Sequence, residues 1–496
     1  MMPSPVEYPG SELGRAALDR RLVSGVAWTA VARWGGQIVS WASMLLLAKL
    51  LSPEDFGLFG MTTLFLGFVT VVSEFGIGSA ILMLRELSPG EIRQMHALSL
   101  LLGAAGSILS LCAARPVAAF FHNSRLEPLV AVMGIGFLLS GVRVVPQSVL
   151  LRDLKFKLVS GLEALMVVVQ ALASVLLAWL GMRYWSLVLG GLIASAAASL
   201  LFYIASPCAF ARPVLGQLRG ELRYSRRVLM GRVTWYLYSN ADFAVAGRFL
   251  GEAALGVYNM AWNLANLPLD RIATLIFRVT PSIFSSVQHD AAELRRYLRV
   301  LTEGMSLIVF PVGIGVALVA DPLVAAAFDK RWAGLAMPLR LLALNAVLRC
   351  LTILYGQVQT TIRDVRYGMW QGIVSLAVLP VSFWYASRWG GSGIAAAWLC
   401  LYPLLNGPPL FRVLRKIAMP KSEYLRAIAP AGLASAAMAA AVLAAGLYAP
   451  ALRPFPELLA RTALGAAVYL GVLFLFFRGR VNVFLSLVLR PKSAAA

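Results

Sequence analysis

Apolar runs of about twenty residues recur along the whole of this chain. Each is long enough to cross the hydrocarbon core of a bilayer as a helix. Charged residues make up only 14% of the sequence, whereas soluble domains hold about a quarter. The pattern predicts an all-α, polytopic membrane protein. A rule that converts 496 residues into two or three soluble domains does not apply.

Spans are predicted at roughly 23–50, 57–82, 94–115, 128–151, 158–181 and 184–206. A second set falls at roughly 227–250, 255–282, 298–320, 338–360, 367–388 and 391–411, and a last pair at 424–447 and 457–477. The expected organisation is a tail (1–22), an N-lobe (23–215), a C-lobe (216–415), two further helices (416–480) and a C-terminal tail (481–496). About fourteen helices thus divide as two pseudo-symmetric lobes of six plus two. The formal net charge of +21 would suggest nucleic acid in a soluble chain. Here the positions matter more, because basic residues collect in cytoplasmic loops. With the N-terminus inside, the inner segments hold about three times as many Lys and Arg as the outer ones. Both termini are therefore expected to be cytoplasmic, with no nucleic-acid partner. No cleavable signal peptide is expected, since the first apolar run is long enough to remain as a span.

One stretch occurs twice. Residues 33–61 superpose without a gap on 232–260, pairing Arg33 with Arg232, Lys49 with Arg248, Gly57 with Gly256 and Met61 with Met260. Shared composition among membrane helices is the competing explanation. Duplicated halves are a common transporter build, and an even number of spans per half gives both copies one orientation.

Enzyme signatures are absent: there is no GxxxxGK[ST], HExxH, GxSxG or EF-hand spacing. The four cysteines form no CxxC pair and the three histidines are scattered, so neither a metal site nor a cofactor is expected. The informative residues are basic ones inside spans: Arg33, Arg143, Arg232, Arg271, Arg278, Arg340, Arg349 and Arg461. An arginine in hydrocarbon costs roughly 2.5–3.5 kcal/mol on insertion scales, so it should face a bundle interior or a wet cavity. Arg340 is close enough to an outer end to snorkel, which leaves Arg349 as the inward member of that pair. The acids within spans are Glu74, Glu163, Asp242, Asp270 and Glu303. Two readings remain open. Each acid pairs with an arginine and neutralises it, or the excess positive charge lines a cavity for an anionic substrate, with Glu74 or Asp242 as a site for a coupling proton or cation. Trp28, Trp34, Trp41, Trp235, Tyr236 and Tyr238 lie in the two repeat-leading spans, as packing or as a path for sugar rings. Pro146, Pro268, Pro281, Pro311 and Pro380 mark possible kinks. The segment HDAAELRRYLR (289–299) reads as an amphipathic helix, its arginines toward headgroups and Leu294 and Leu298 inward.

The runs LLSPEDFGLFGM (50–61), SEFGIGSAIL (73–82), VVPQSVLLRDLKFK (144–157), GVYNMAWNLANLP (256–268) and RVTPSIFSSVQHD (278–290) resemble bacterial polysaccharide flippases. These belong to the multidrug/oligosaccharidyl-lipid/polysaccharide exporter superfamily. The resemblance covers roughly residues 20–415. It implies a transporter of the bacterial cytoplasmic membrane, not an enzyme. It further implies that an undecaprenyl-diphosphate-linked oligosaccharide is turned to the outer leaflet by alternating access. Cavity arginines would hold the diphosphate and acidic sugars, here Arg33, Arg232 and Arg278, with Arg143 and Arg349 behind them. A polymerase and a chain-length regulator are the implied protein partners. Asp270 beside Arg271 departs from the family pattern and puts Arg271 in doubt. The same fold also serves cation-coupled drug exporters, in which acids should dominate the N-lobe cavity, and flippases of the lipid-linked peptidoglycan precursor. A membrane ligase or polymerase would need a large outer loop that the sequence lacks.

Overall fold

A backbone carbonyl inside hydrocarbon must find its donor within the protein, and helices meet that demand locally. The computed structural model describes residues 35–73, 77–83, 87–212, 232–448 and 453–478. Among them it is helical throughout, with no strand. Among the described residues ten stretches are long and apolar enough to cross a membrane. One of these, Arg366–Lys416, is occupied by two successive helices, Val365–Ala386 and Gly390–Lys416.

The chain divides into two compact units. Unit 1 comprises residues 1–51 and 62–233, and unit 2 comprises 52–61 and 234–496. In unit 1 the described elements are α1 (35–50), most of α2 (Pro53–Ser73), α3 (Ile77–Met83), α4 (Pro89–Phe121), α5 (Leu126–Met133), α6 (Ile135–Arg152), α7 (Phe156–Trp179) and α8 (Trp185–Ala205). A short helix, α9 (232–239), begins the next described segment. Unit 2 continues with α10 (Ala241–Val245), α11 (Gly251–Ser286), α12 (Ala291–Leu318), α13 (Ala320–Ala327) and α14 (Ala336–Thr361). It ends with α15 (Val365–Ala386), α16 (Gly390–Lys416), α17 (Lys421–Tyr448) and α18 (Pro454–Phe476).

Local chemistry sets the ends. Ser88 and Glu91 form a reciprocal capping box before α4, with Pro89 in the first turn, where its missing N–H is no loss. Asp290 caps α12 by accepting from the N–H groups of Ala292 and Glu293. In unit 1, α4 packs against α6 through small residues. Ser99 and Ser107 donate to the carbonyls of Gly141 and Gly134 at 2.8 Å, and a Cβ on Gly103 would lie 2.5 Å from the Phe137 carbonyl. In unit 2, α14 packs against α11, α12 and α16. Its Leu339, Leu342, Ala346, Cys350, Leu354 and Val358 are buried at helical spacing.

Prolines inside helices leave a carbonyl four residues back without its donor. Two such carbonyls are filled from other helices. Tyr469 of α18 donates to Leu307, orphaned by Pro311, at 2.7 Å. A ring nitrogen of His96 on α4 lies 3.3 Å from the carbonyl of Val142, orphaned by Pro146.

The duplicated stretch makes the same turn in two ways. Before α2, Ser52 and Asp55 bond reciprocally, side chain to backbone. Before α11, a π-turn (Ala246–Leu250) ends at Gly251 with φ +84, a conformation that favours glycine. Beyond these turns the copies pack on each other within unit 2. A Cβ on Gly57 would sit 1.8 Å from the Glu252 carbonyl oxygen, and one on Gly256 would sit 1.8 Å from that of Pro53. Pro53 and Glu252 are themselves equivalent positions at the repeat offset.

The segment at 289–299 is the first turns of α12 rather than a separate surface helix. Leu294 and Leu298 are buried, as the amphipathic pattern predicts. Arg295 and Arg299 pair with Glu423 of α17. A carboxylate five helices downstream leaves no local trace in the sequence around them.

Either Gly57→Ala or Gly256→Ala should destabilise the protein by about 1–3 kcal/mol through overpacking. The double variant should cost less than the sum, because one separation of the two helices relieves both clashes. Gly356→Ala, which meets open space, should be neutral or slightly stabilising. Thermal unfolding in one detergent or nanodisc condition checks all four proteins.

Candidate functional site

Unit 1 holds an open cavity of about 270 Å³. Its walls are α2, α3, α4, α5, α6 and α8, and its polar lining includes Thr70, Ser99, Ser140, Ser195 and Arg143. The close α4–α6 crossing creates it: without side chains at Gly103 and Gly141 the two helices approach, and Arg143, two residues beyond Gly141, reaches the lumen. A guanidinium among hydroxyls in an otherwise apolar wall suits an anionic oxygen. Glu163 on α7 accepts a hydrogen bond from the Gln147 amide at 3.0 Å, a neutral donor.

Unit 2 carries a second polar cluster. Asp242 is fully buried on α10. One of its oxygens accepts from the Tyr258 hydroxyl at 2.7 Å and from the Trp398 indole N–H at 2.8 Å. Phe243, Trp262, Phe383 and Tyr402 surround these groups edge to face or tilted. At the edge of the cluster Arg349 donates to the Asn266 side-chain oxygen at 2.6 Å, and its guanidinium lies 4.8 Å from the Trp262 ring centre. Thr352 closes the set, 2.8 Å from the Tyr402 hydroxyl. α11 presents Trp262 and Asn266 one turn apart, so both meet the same face of α14.

The expected site residues separate accordingly. Arg143 lines the unit 1 cavity, and Arg349 and Asp242 belong to the unit 2 cluster. Arg232 is exposed on the first turn of α9. Arg271 and Arg278 lie on α11, whose side chains at 270–279 are outside the described residues, as are Arg33 and Glu74. Arg340 pairs with Asp321 and Arg461 with Glu457, so these two in-span arginines are neutralised by carboxylates. Of the repeat-leading aromatics, Trp41 and Trp235 are exposed, while Trp28 and Trp34 lie outside the described residues. Tyr258, Trp398 and Asn266 were not anticipated. Only Asn266 had a local signal, an amide in an apolar helix; the other two are common as packing or interface residues. Among the described residues no three His, Cys, Asp or Glu are placed to hold a metal.

Tyr258→Phe or Trp398→Phe should each cost about 0.6–1.7 kcal/mol, the range for hydrogen bonds between membrane helices. The double variant should cost more than the sum, because it leaves a buried carboxylate with neither donor. Thermal unfolding of the four proteins measures the coupling.

Comparison with known proteins locates this architecture. The profile of a family described as "Polysaccharide biosynthesis protein" matches residues 46–337. The chain is similar to the teichuronic acid biosynthesis protein TuaB of Bacillus subtilis (strain 168), 24% identical over 388 residues, 77% of this chain and 80% of the relative. It is also similar to the succinoglycan biosynthesis transport protein ExoT of Rhizobium meliloti (strain 1021), 23% identical over 492 residues, 96% of this chain and 97% of that one. Among solved structures, the lipid II flippase MurJ in an inward closed conformation shares the fold, with a TM-score of 0.73 at 15% identity over 91% of this chain and 99% of that chain.

Proposed function

We propose, from the membership of this chain in the polysaccharide biosynthesis protein family, that it moves a lipid-linked oligosaccharide from the inner to the outer leaflet of the bacterial cytoplasmic membrane by alternating access. The observation that carries the reading is the company of the arginines. Arg143 faces a cavity lined with hydroxyls, and Arg349 is held by an amide oxygen and an indole face. A guanidinium oriented by an amide oxygen and an indole face can still offer hydrogen bonds to an incoming anion. Arg340 and Arg461 show the alternative, a carboxylate partner that neutralises.

The substrate has a large polar head that cannot cross hydrocarbon and an anionic diphosphate beside its lipid. Guanidinium groups offer that diphosphate paired, charge-assisted hydrogen bonds. Arg33, Arg143, Arg232, Arg278 and Arg349 are the proposed contacts. The lipid tail remains in the bilayer throughout. Asp242 is the proposed coupling group: it is fully buried, and its carboxylate can carry a proton. Both termini are assigned to the cytoplasm, and proteins that polymerise the glycan and set its length are the proposed partners on the product side.

Complementation of a cell lacking its own polysaccharide flippase tests the reading. Wild-type protein should restore surface glycan. Arg143→Ala and Arg349→Ala, at matched membrane expression, should each lose about tenfold or more, the worth of a hydrogen bond to a charged group. Lysine at either position should rescue only in part, since it cannot make the paired contact. Asp242→Asn, which keeps the shape but not the proton, should also fail. Arginine variants that all match the wild type would show these groups to be structural.

A further inference from the structure

His96 on α4 is fully buried, and both of its ring nitrogens face carbonyl oxygens. Nδ1 lies 3.1 Å from the carbonyl of Cys208, and Nε2 lies 3.3 Å from that of Val142. The ring stacks on Phe210 with centroids 4.4 Å apart and tilts against Tyr203 at 6.3 Å. A carbonyl oxygen can only accept. A neutral imidazole has a single N–H, so it can satisfy one of these oxygens and must turn a lone pair toward the other. An imidazolium donates to both.

The two carbonyls differ in what else can serve them. Val142 lies inside α6, and Pro146 has removed its helical donor. Without His96 it would lose the donor that replaces the helical one. Cys208 lies in the half-exposed, non-helical segment 206–212, where water can take over. The neutral ring is therefore expected to keep its proton on Nε2 and release Cys208. Leu307 provides the contrast: its carbonyl, orphaned in the same way, is served by a tyrosine hydroxyl, which donates in any protonation state near neutrality.

The residue after Val142 is Arg143, and Ser99, one turn along α4 from His96, lines the same cavity. We propose that His96 is a proton-responsive positioning residue of the unit 1 cavity. Charged, it ties segment 206–212 to α6 beneath Arg143; neutral, it lets that segment go. Only the consequence for transport rests on the flippase reading.

Titratable and charged groups on the surrounding elements are few. α4 itself carries Glu91, held in its capping box, and Arg93, whose carbonyl accepts from Ala211 of the same segment at 3.3 Å. Its far end carries Arg115, paired with Glu127 of α5, nineteen residues and about 28 Å along the helix. α6 carries Arg143 and Arg152, α8 contributes Tyr203, α3 contributes none, and the segment holds Cys208 and Arg212. Among the described residues no carboxylate on these elements is placed to fix the ring's charge, so burial, the two carbonyls and pH decide it.

Full-length protein in phospholipid nanodiscs tests this without any substrate. Cys208 is a free thiol, and its alkylation can be followed by peptide mass spectrometry. Each rate is divided by that of His96→Asn protein at the same pH, which removes the thiol's own pH dependence. Between about pH 8 and pH 5, the range in which histidine changes charge, the ratio should fall about tenfold, as expected for gaining one hydrogen bond from a charged group. The His96→Phe rate, divided in the same way, should stay flat across the range. In parallel, nitrogen NMR of protein with His122→Gln and His289→Gln should show His96 passing from one ring proton to two over the same range. A flat labelling ratio, or a ring that stays neutral throughout, would overturn the proposal. Because neither readout involves glycan, such a failure is separate from failure of the arginine variants in complementation.

Discussion

Inside a bilayer, no polar group can fall back on water. This single constraint explains most of what the chain builds. Helices satisfy their carbonyls locally, and wherever the sequence breaks that pattern another element supplies the missing donor. Pro311 frees the Leu307 carbonyl, and Tyr469 of the last described helix binds it. Pro146 frees Val142, and His96 lies against it. Asp242 is taken into the interior only because Tyr258 and Trp398 both reach it. Kinks and buried charges are therefore also long-range fasteners, joining elements tens to hundreds of residues apart.

The same logic governs how closely helices approach. With lipid as solvent, no hydrophobic gain distinguishes helix contact from lipid contact, so shape and small residues decide. The internal repeat acquires a physical meaning here. Gly57 meets the backbone at Glu252, and Gly256 meets the backbone at Pro53, equivalent positions in the two copies. The copies are thus mutual partners at a crossing where neither tolerates a side chain. The turns leading into that crossing have diverged, one held by Ser52 and Asp55 and the other by a positive-φ glycine. What has been kept is the contact rather than the means of reaching it.

The helical membrane class, the repeat and the separation of Arg340 from Arg349 could all be read from local pattern. Apolar run length, an invariant offset and depth within a span are properties of neighbouring residues. The partners could not be read so. Trp398 lies 156 positions from Asp242, and Cys208 lies 112 from His96. Nothing near an aspartate in an apolar helix says whether an arginine, an amide or an indole will meet it. For that reason the choice between neutralised arginines and a charged cavity stayed open in the sequence. The fate of Arg295 and Arg299 has the same cause: an amphipathic pattern shows which face is apolar, but not that Glu423 waits on the other.

The pairing pattern bears directly on transport. A carrier must hold its substrate's charge firmly enough to draw it from one leaflet and weakly enough to release it into the other. An arginine locked to a carboxylate would be too well satisfied to do the first. One left bare in hydrocarbon would be too costly to fold. Partners such as the Asn266 amide and the Trp262 face lie between these limits: they orient and partly compensate the guanidinium without cancelling its charge. An anion can then displace or share those contacts at modest cost. Fastening or releasing a segment at the helix beneath an arginine, through a donor that can be charged or neutral, is a way to change its reach without changing its charge. In unit 1 the elements for that adjustment, Pro146, Val142 and His96, lie directly beside Arg143.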